Sequence, residues 1–158
     1  MFFNFINRFP NPVLVAHNAP FDLKYLGVRA KMYGIKMKSY KSLDTLELNK
    51  MFFIPLLKSV EGSGELDLIL KSLSTYTTTG KRKVSSTLGN LSKAMKIDVT
   101  GWHNALADVE MLMGVLAKMV ETFKKYQDVD ISDLHRKEVL RVAKSQHKRK
   151  HTPKKKKK

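Results

Sequence analysis

Val13-Leu14-Val15-Ala16-His17-Asn18-Ala19-Pro20-Phe21-Asp22 is the stretch on which the fold turns. Four consecutive apolar residues, three of them β-branched or leucine, predict a short strand buried on both faces. His17-Asn18-Ala19 then forms a turn, and Pro20 suits the first turn of a helix because its missing N–H would be unpaired there anyway. That helix is expected to run to Met32 or Tyr33, where Gly34 stops it. Asp22 falls in its first turn, beside Tyr25 and Leu26. A second segment, Trp102-His103-Asn104-Ala105-Leu106-Ala107-Asp108, opens another helix and carries Asp108 one turn from Leu112. Each segment thus sets a carboxylate on an apolar helix side. Two buried carboxylates repel unless a cation lies between them.

Outward from these segments the chain reads as alternating strands and helices. Residues 2–9 form a helix crowded with Phe2, Phe3, Phe5, Ile6 and Phe9, and Pro10-Asn11-Pro12 breaks it. Met37 to Leu43 reads as a second strand. Asp44-Thr45-Leu46-Glu47 follows as a capping box, with Asp44 capping and Glu47 reaching back, so both acids are kept out of the active site. Residues 56–85 are the least legible, with a short helix near Leu66–Leu73 and a loop or small hairpin over Ser74 to Lys83. Leu88, Leu91, Ala94 and Met95 mark a helix of two to three turns. Ala105, Leu106, Val109, Leu112, Met113, Leu116, Val120 and Phe123 recur at three- and four-residue steps and read as the core face of a long helix ending near Lys124. A last helix over 132–144 grades into a Lys-rich tail.

The 158 residues suffice for one domain and a tail. Cysteine is absent, which excludes disulfides and thiolate zinc sites and agrees with an intracellular setting. No apolar run approaches the roughly 20 residues needed to span a bilayer, and no signal peptide is recognised, so no membrane is expected. Of the net charge of +16, the segment from Leu134 onward carries +11, with twelve Lys or Arg against Glu138 alone; residues 1–133 are left with +5. Such a tail favours polyanions through counterion release. A nuclear address or a plain solubilising role are the alternatives, and cytoplasm and nucleus are not distinguished. The expected division is residues 1–127 as the α/β domain and 128–158 as a basic helix with a disordered tail. Lys81-Arg82-Lys83 adds a second basic cluster for nucleic acid.

Oxygen ligands such as Asp22 and Asp108 suit Mg²⁺ or Mn²⁺ rather than zinc. His103, five residues before Asp108, can reach the same mouth and take a proton from water. Leu14-Val15-Ala16-His17-Asn18-Ala19-Pro20-Phe21-Asp22 with Leu26 resembles the second motif of the DEDDh 3′→5′ exonucleases, the family of proofreading epsilon subunits and RNase T. His103-Asn104-Ala105-Leu106-Ala107-Asp108 resembles their third motif. Leu43 to Leu48 resembles the strand-to-helix junction between the motifs. Leu88, Leu91 and Ile97 resemble the helix before the third. The resemblance covers about residues 1–124.

The resemblance implies a ribonuclease-H-like fold and two-metal hydrolysis of a terminal phosphodiester. It implies Asp22 and Asp108 as metal ligands, His103 as general base, and Asn18, His17 and Phe21 near the substrate strand. The implied partner is a single-stranded 3′ end, with DNA slightly favoured over RNA, and polymerase association is open. The family's first motif, an Asp-x-Glu on an opening strand, does not precede the second-motif segment; the one Asp-x-Glu in the chain, Asp108-Val109-Glu110, overlaps the third-motif segment instead. The expectation is therefore a partial ribonuclease-H-like α/β fold lacking its opening strands, inactive alone, whose missing segment is encoded separately, lost to a misplaced start or interrupted gene, or supplied in trans. A non-catalytic nucleic-acid-binding module, or the remnant of a split exonuclease, is the alternative.

Overall fold

The carboxylate of Asp44 joins the two halves of a parallel strand–helix–strand unit. The computed structural model describes residues 2–62, 64–101 and 104–151, with side chains to Lys144. Helix α1 (Phe2–Ile6) leads to strand β1 (Val13–Ala16), helix α2 (Ala19–Met32) and strand β2 (Lys41–Asp44). β1 and β2 pair in parallel, Val13 opposite Lys41 and Ala16 opposite Asp44. A parallel pair needs a crossover, and α2 supplies it. At its far end Gly34 adopts φ +64°, and the Ile35 N–H returns to the Ala30 carbonyl at 2.8 Å. A side chain at that φ would be strained, so the expected glycine stop holds.

The remaining chain is mostly helical. Helix α3 (Thr45–Leu48), a π-helical segment (Asn49–Phe53) and helix α4 (Ile54–Ser59) follow one another without a break. Pro55 explains the wide turn. It has no N–H to give the Met51 carbonyl, and its ring would crowd that carbonyl in a regular helix. Then come α5 (Gly64–Leu73), the antiparallel pair β3 (Ser74–Tyr76) and β4 (Arg82–Val84), α6 (Leu88–Ala94), α7 (Ala105–Lys125) and α8 (Ser132–His151). The architecture is mixed α/β with two small sheets.

The main core lies among the helices, away from β1 and β2. Phe53, Leu57, Leu66, Ile69, Leu70, Leu73, Leu91, Met95, Val115 and Met119 form it. Each such side chain contributes about 1.5–3 kcal/mol on burial. Gly114 lets α7 approach the segment that follows α6, because a Cβ there would stand 3.0 Å from Cγ2 of Ile97. A smaller cluster joins Phe3 and Ile6 of α1 to Ala30 of α2, with Met37 and Tyr40 against it. Helix α8 docks through His135, whose Nδ1–H donates to the Met51 carbonyl at 2.8 Å while its ring stacks on Phe52. The Met51 carbonyl, to which Pro55 can give no i+4 hydrogen bond, thus becomes the anchor for α8.

Several expectations need correction. β1 is not buried on both faces: among the described residues its strand partner is β2 alone, and Val13 is 52% exposed. β2 is shorter than Met37–Leu43 and is displaced to Lys41–Asp44. The core face of α7 is rotated. Met111, Leu112, Val115, Met119 and Thr122 face inward, while Leu106, Val109, Met113 and Val120 are exposed. This helix is apolar on most sides, so periodicity alone could not choose the face that α6 covers. Helix α8 continues to His151 rather than ending near Lys144, so part of the expected disordered tail is helical; residues 152–158 lie outside the described residues. No helix among the described residues is long and apolar enough to cross a membrane.

Asn49 sits on the wide turn with no exposed surface, and among the described residues neither its Nδ2 nor its Oδ1 has a hydrogen-bond partner. Replacing a buried unpaired amide with an apolar side chain of similar volume removes a desolvation penalty. Asn49→Leu should therefore stabilise the fold by about 1–3 kcal/mol in urea unfolding. A loss of stability would show that the amide is held by something essential.

Candidate functional site

The carboxyl ends of β1 and β2 lie side by side, and the turn from β1 into α2 sits against Asp44. In parallel sheets this end is where ligands are commonly held. Asn18, at the N-cap of α2, has φ +83°, a left-handed conformation that Asn tolerates better than most residues. Its own side chain makes no capping bond. Asp44 does that work from across the sheet. One of its oxygens accepts from the Asn18 N–H at 2.9 Å, and the other accepts from the Ala19 N–H at 3.1 Å. The same carboxylate caps its own helix by accepting from the Leu46 and Glu47 N–H groups. The capping role expected for Asp44 holds, and it extends to a second helix.

His17 lies beside this junction with both ring nitrogens occupied. Nε2–H donates to the Ser86 carbonyl at 2.8 Å, which fixes that nitrogen as the protonated one because a carbonyl can only accept. Nδ1 lies 3.0 Å from the Thr45 hydroxyl, which is itself 3.2 Å from the Ala16 carbonyl. In neutral His17, Nδ1 accepts the hydroxyl proton. In the imidazolium, Nδ1–H donates and the hydroxyl turns to Ala16. Burial holds the His17 pKa below its ordinary value, against the opposing influence of the Ser86 carbonyl and Asp44. His17 therefore ties β1, α3 and the β4–α6 loop together, and no ring nitrogen is left for a substrate.

The two expected metal ligands stand in different surroundings. Asp108 is in the first turn of α7, half-buried, and its Oδ1 is buried with no hydrogen-bond partner among the described residues. Asn104 caps this helix through the Leu106 N–H at 3.0 Å. Asp22 is in the first turn of α2, as expected, but it is exposed rather than on a core-facing side. Asp22 lies at the flank of the face on which α2 buries Ala19 and Ala30, one position too far round to be covered. α7 packs chiefly on α6. Among the described residues no three His, Asp or Glu side chains gather as a set able to hold a metal ion. His103 lies outside the described residues. Phe21 is 69% exposed, available to a ligand as its expected role requires.

In the basic cluster Lys81 and Lys83 are exposed, but Arg82 is engaged. Its guanidinium pairs with Glu61, and its Nε–H donates to Ser74 at 2.9 Å. It braces the hairpin against the α4–α5 loop. Comparison with protein-family models, with curated proteins and with solved structures finds no match.

Two predictions follow from this junction. Asp44→Ala removes caps from two helices and should cost about 2–3 kcal/mol in urea unfolding, with an unchanged midpoint as the contrary result. His17 is the pH-sensitive member. With its folded pKa below the unfolded one, the unfolded chain binds more protons between the two values, so stability falls as pH drops below about 6.5. Unfolding midpoints from pH 8 to pH 5 should fall more steeply in the natural chain than in His17→Gln. Parallel profiles would remove His17 from this role.

Proposed function

We propose that this chain is part of a ribonuclease-H-like 3′→5′ exonuclease domain that removes nucleotides from single-stranded DNA ends. The observation that carries the reading is the Asp108 Oδ1. A buried carboxylate oxygen without a partner costs free energy, and a bound cation relieves it directly. The parallel β1–α2–β2 unit and the order of the two sequence segments also support the reading. Asp108 would hold Mg²⁺ or Mn²⁺ through Oδ1, and Asp22 would complete the contribution of this chain. A divalent ion bound there would stabilise negative charge on the phosphate oxygens during hydrolysis. His103 would take the proton from the attacking water. Asn18 and Phe21, at the turn into α2, would position the terminal nucleotide. A full four-carboxylate site also requires an Asp-x-Glu pair from a further segment.

A second reading, a nucleic-acid-binding module that does not cut, is favoured by the charge of +11 from Leu134 onward, much of it on helix α8. A metal titration separates the two. Under the exonuclease reading Mn²⁺ should raise the melting temperature of the natural chain and leave Asp108→Asn unmoved. With a segment carrying Asp-x-Glu added, 5′-labelled single-stranded DNA should shorten from its 3′ end in Mg²⁺. Asp108→Asn and His103→Ala should each lower that rate at least about 100-fold. Equal Mn²⁺ effects on the natural chain and on Asp108→Asn would refute the assignment.

A further inference from the structure

At the opposite end of the β1–β2 pair from Asn18 and Asp44 lies a cleft of about 180 Å³. Asn7, Phe9 and Pro10, after α1, form one part of its lining; Lys38, Tyr40 and Lys41, leading into β2, form another. Phe9 is 51% exposed, and its ring meets Phe5 edge to face at 5.4 Å. The Tyr40 hydroxyl donates to Asn7 Oδ1 at 3.0 Å, which joins the segment after α1 to the one entering β2 and leaves the Asn7 amide N–H groups as donors. Lys38 and Lys41 are exposed, and the lining contains no carboxylate.

From this geometry we infer that the cleft is a second binding site, for one nucleotide unit of a single nucleic-acid strand. An exposed aromatic ring provides a stacking surface that every base can use. Two ammonium groups provide the countercharge for phosphates, and an amide provides donors for a base edge. The cleft is smaller than the roughly 300 Å³ or more typical of drug-sized ligands, so it takes a single ring system. The charge of its surroundings points to a strand rather than a free nucleotide. Residues 1–43 carry seven Lys or Arg against Asp22 alone, a charge of +6, whereas residues 44–133 carry −1. Arg8 and Lys36 flank the lining segments in sequence, where phosphates beyond the seated unit can use them. The site rests on the nucleic-acid reading above but is independent of its hydrolytic step.

The test compares two DNA strands of about ten residues, one of thymidylate and one abasic with the same number of phosphates, binding the full chain in EDTA. The basic tail attracts both strands equally, so only base stacking separates them. The natural chain should bind the thymidylate strand about tenfold or more tightly than the abasic one. Phe9→Leu, which retains bulk but has no aromatic face, should remove that difference. Lys38→Ala and Lys41→Ala should weaken both strands and lower the salt slope by about 0.7 per lysine. Equal binding of the two strands, or a preference that survives in Phe9→Leu with unchanged lysine variants, would overturn the cleft alone. Binding of neither strand would overturn the cleft and the nucleic-acid reading together. Inorganic phosphate or thymidine monophosphate competing as well as the strand would assign the cleft to a small anion instead.

Discussion

The Asp44 carboxylate is the interaction on which the rest of this structure depends. A helix begins with backbone N–H groups that have no partner inside it. Here two helices start side by side, one after each strand of a parallel pair, and one side chain serves both. It accepts from Asn18 and Ala19 at the start of α2 and from Leu46 and Glu47 at the start of α3. Parallel register makes this possible, because Ala16 and Asp44 lie opposite one another at the strand ends. The left-handed turn at Asn18 is held by the same oxygens. Thr45 and His17 then secure the junction toward Ala16 and Ser86, so the turn that carries Asn18 and Phe21 is braced from three directions.

A second constraint operates in the helical half. Pro55 cannot continue the i+4 hydrogen-bond ladder, the helix widens before it, and the Met51 carbonyl receives His135 from α8. One residue thus explains both the wide turn and the place where α8 docks. The small sheet stands apart from this. Its helix α2 exposes Phe21, Tyr25, Val28 and Met32, and α7 exposes Leu106, Val109, Met113 and Val120. Apolar stripes of this kind are characteristic of surfaces that meet another element or another chain.

Legibility in the sequence followed the range of the physics involved. Caps and stops act over three or four residues, so Pro20 near the start of α2, Gly34 after it and Asp44 before α3 could be read directly. The helix marked by Leu91 and Met95 was legible from its apolar stripe, whereas the one near Leu66–Leu73 was harder to read because Leu68, which is exposed, is as apolar as its buried neighbours. Helix α7 was legible as a helix but not in its orientation, since apolar residues occupy most of its circumference. For the candidate site, first-turn positions were legible for both Asp22 and Asp108. Their burial was not, because it depends on what each helix packs against. Likewise nothing near Arg82 in the chain announces Glu61, and nothing near His17 announces Ser86.

What the sequence determined by itself was the order and type of most elements, the start and stop of α2, the cap of α3, and the uneven charge that makes the last part of the chain strongly basic. These rest on backbone geometry and composition, which neighbouring residues settle. Tertiary structure alone decided that Asp44 caps two helices, that Pro55 creates a docking point for His135, and that Asp108 is enclosed while Asp22 is open. Each of these is set by which surfaces meet, and a meeting between residues tens of positions apart leaves no periodic trace in the chain.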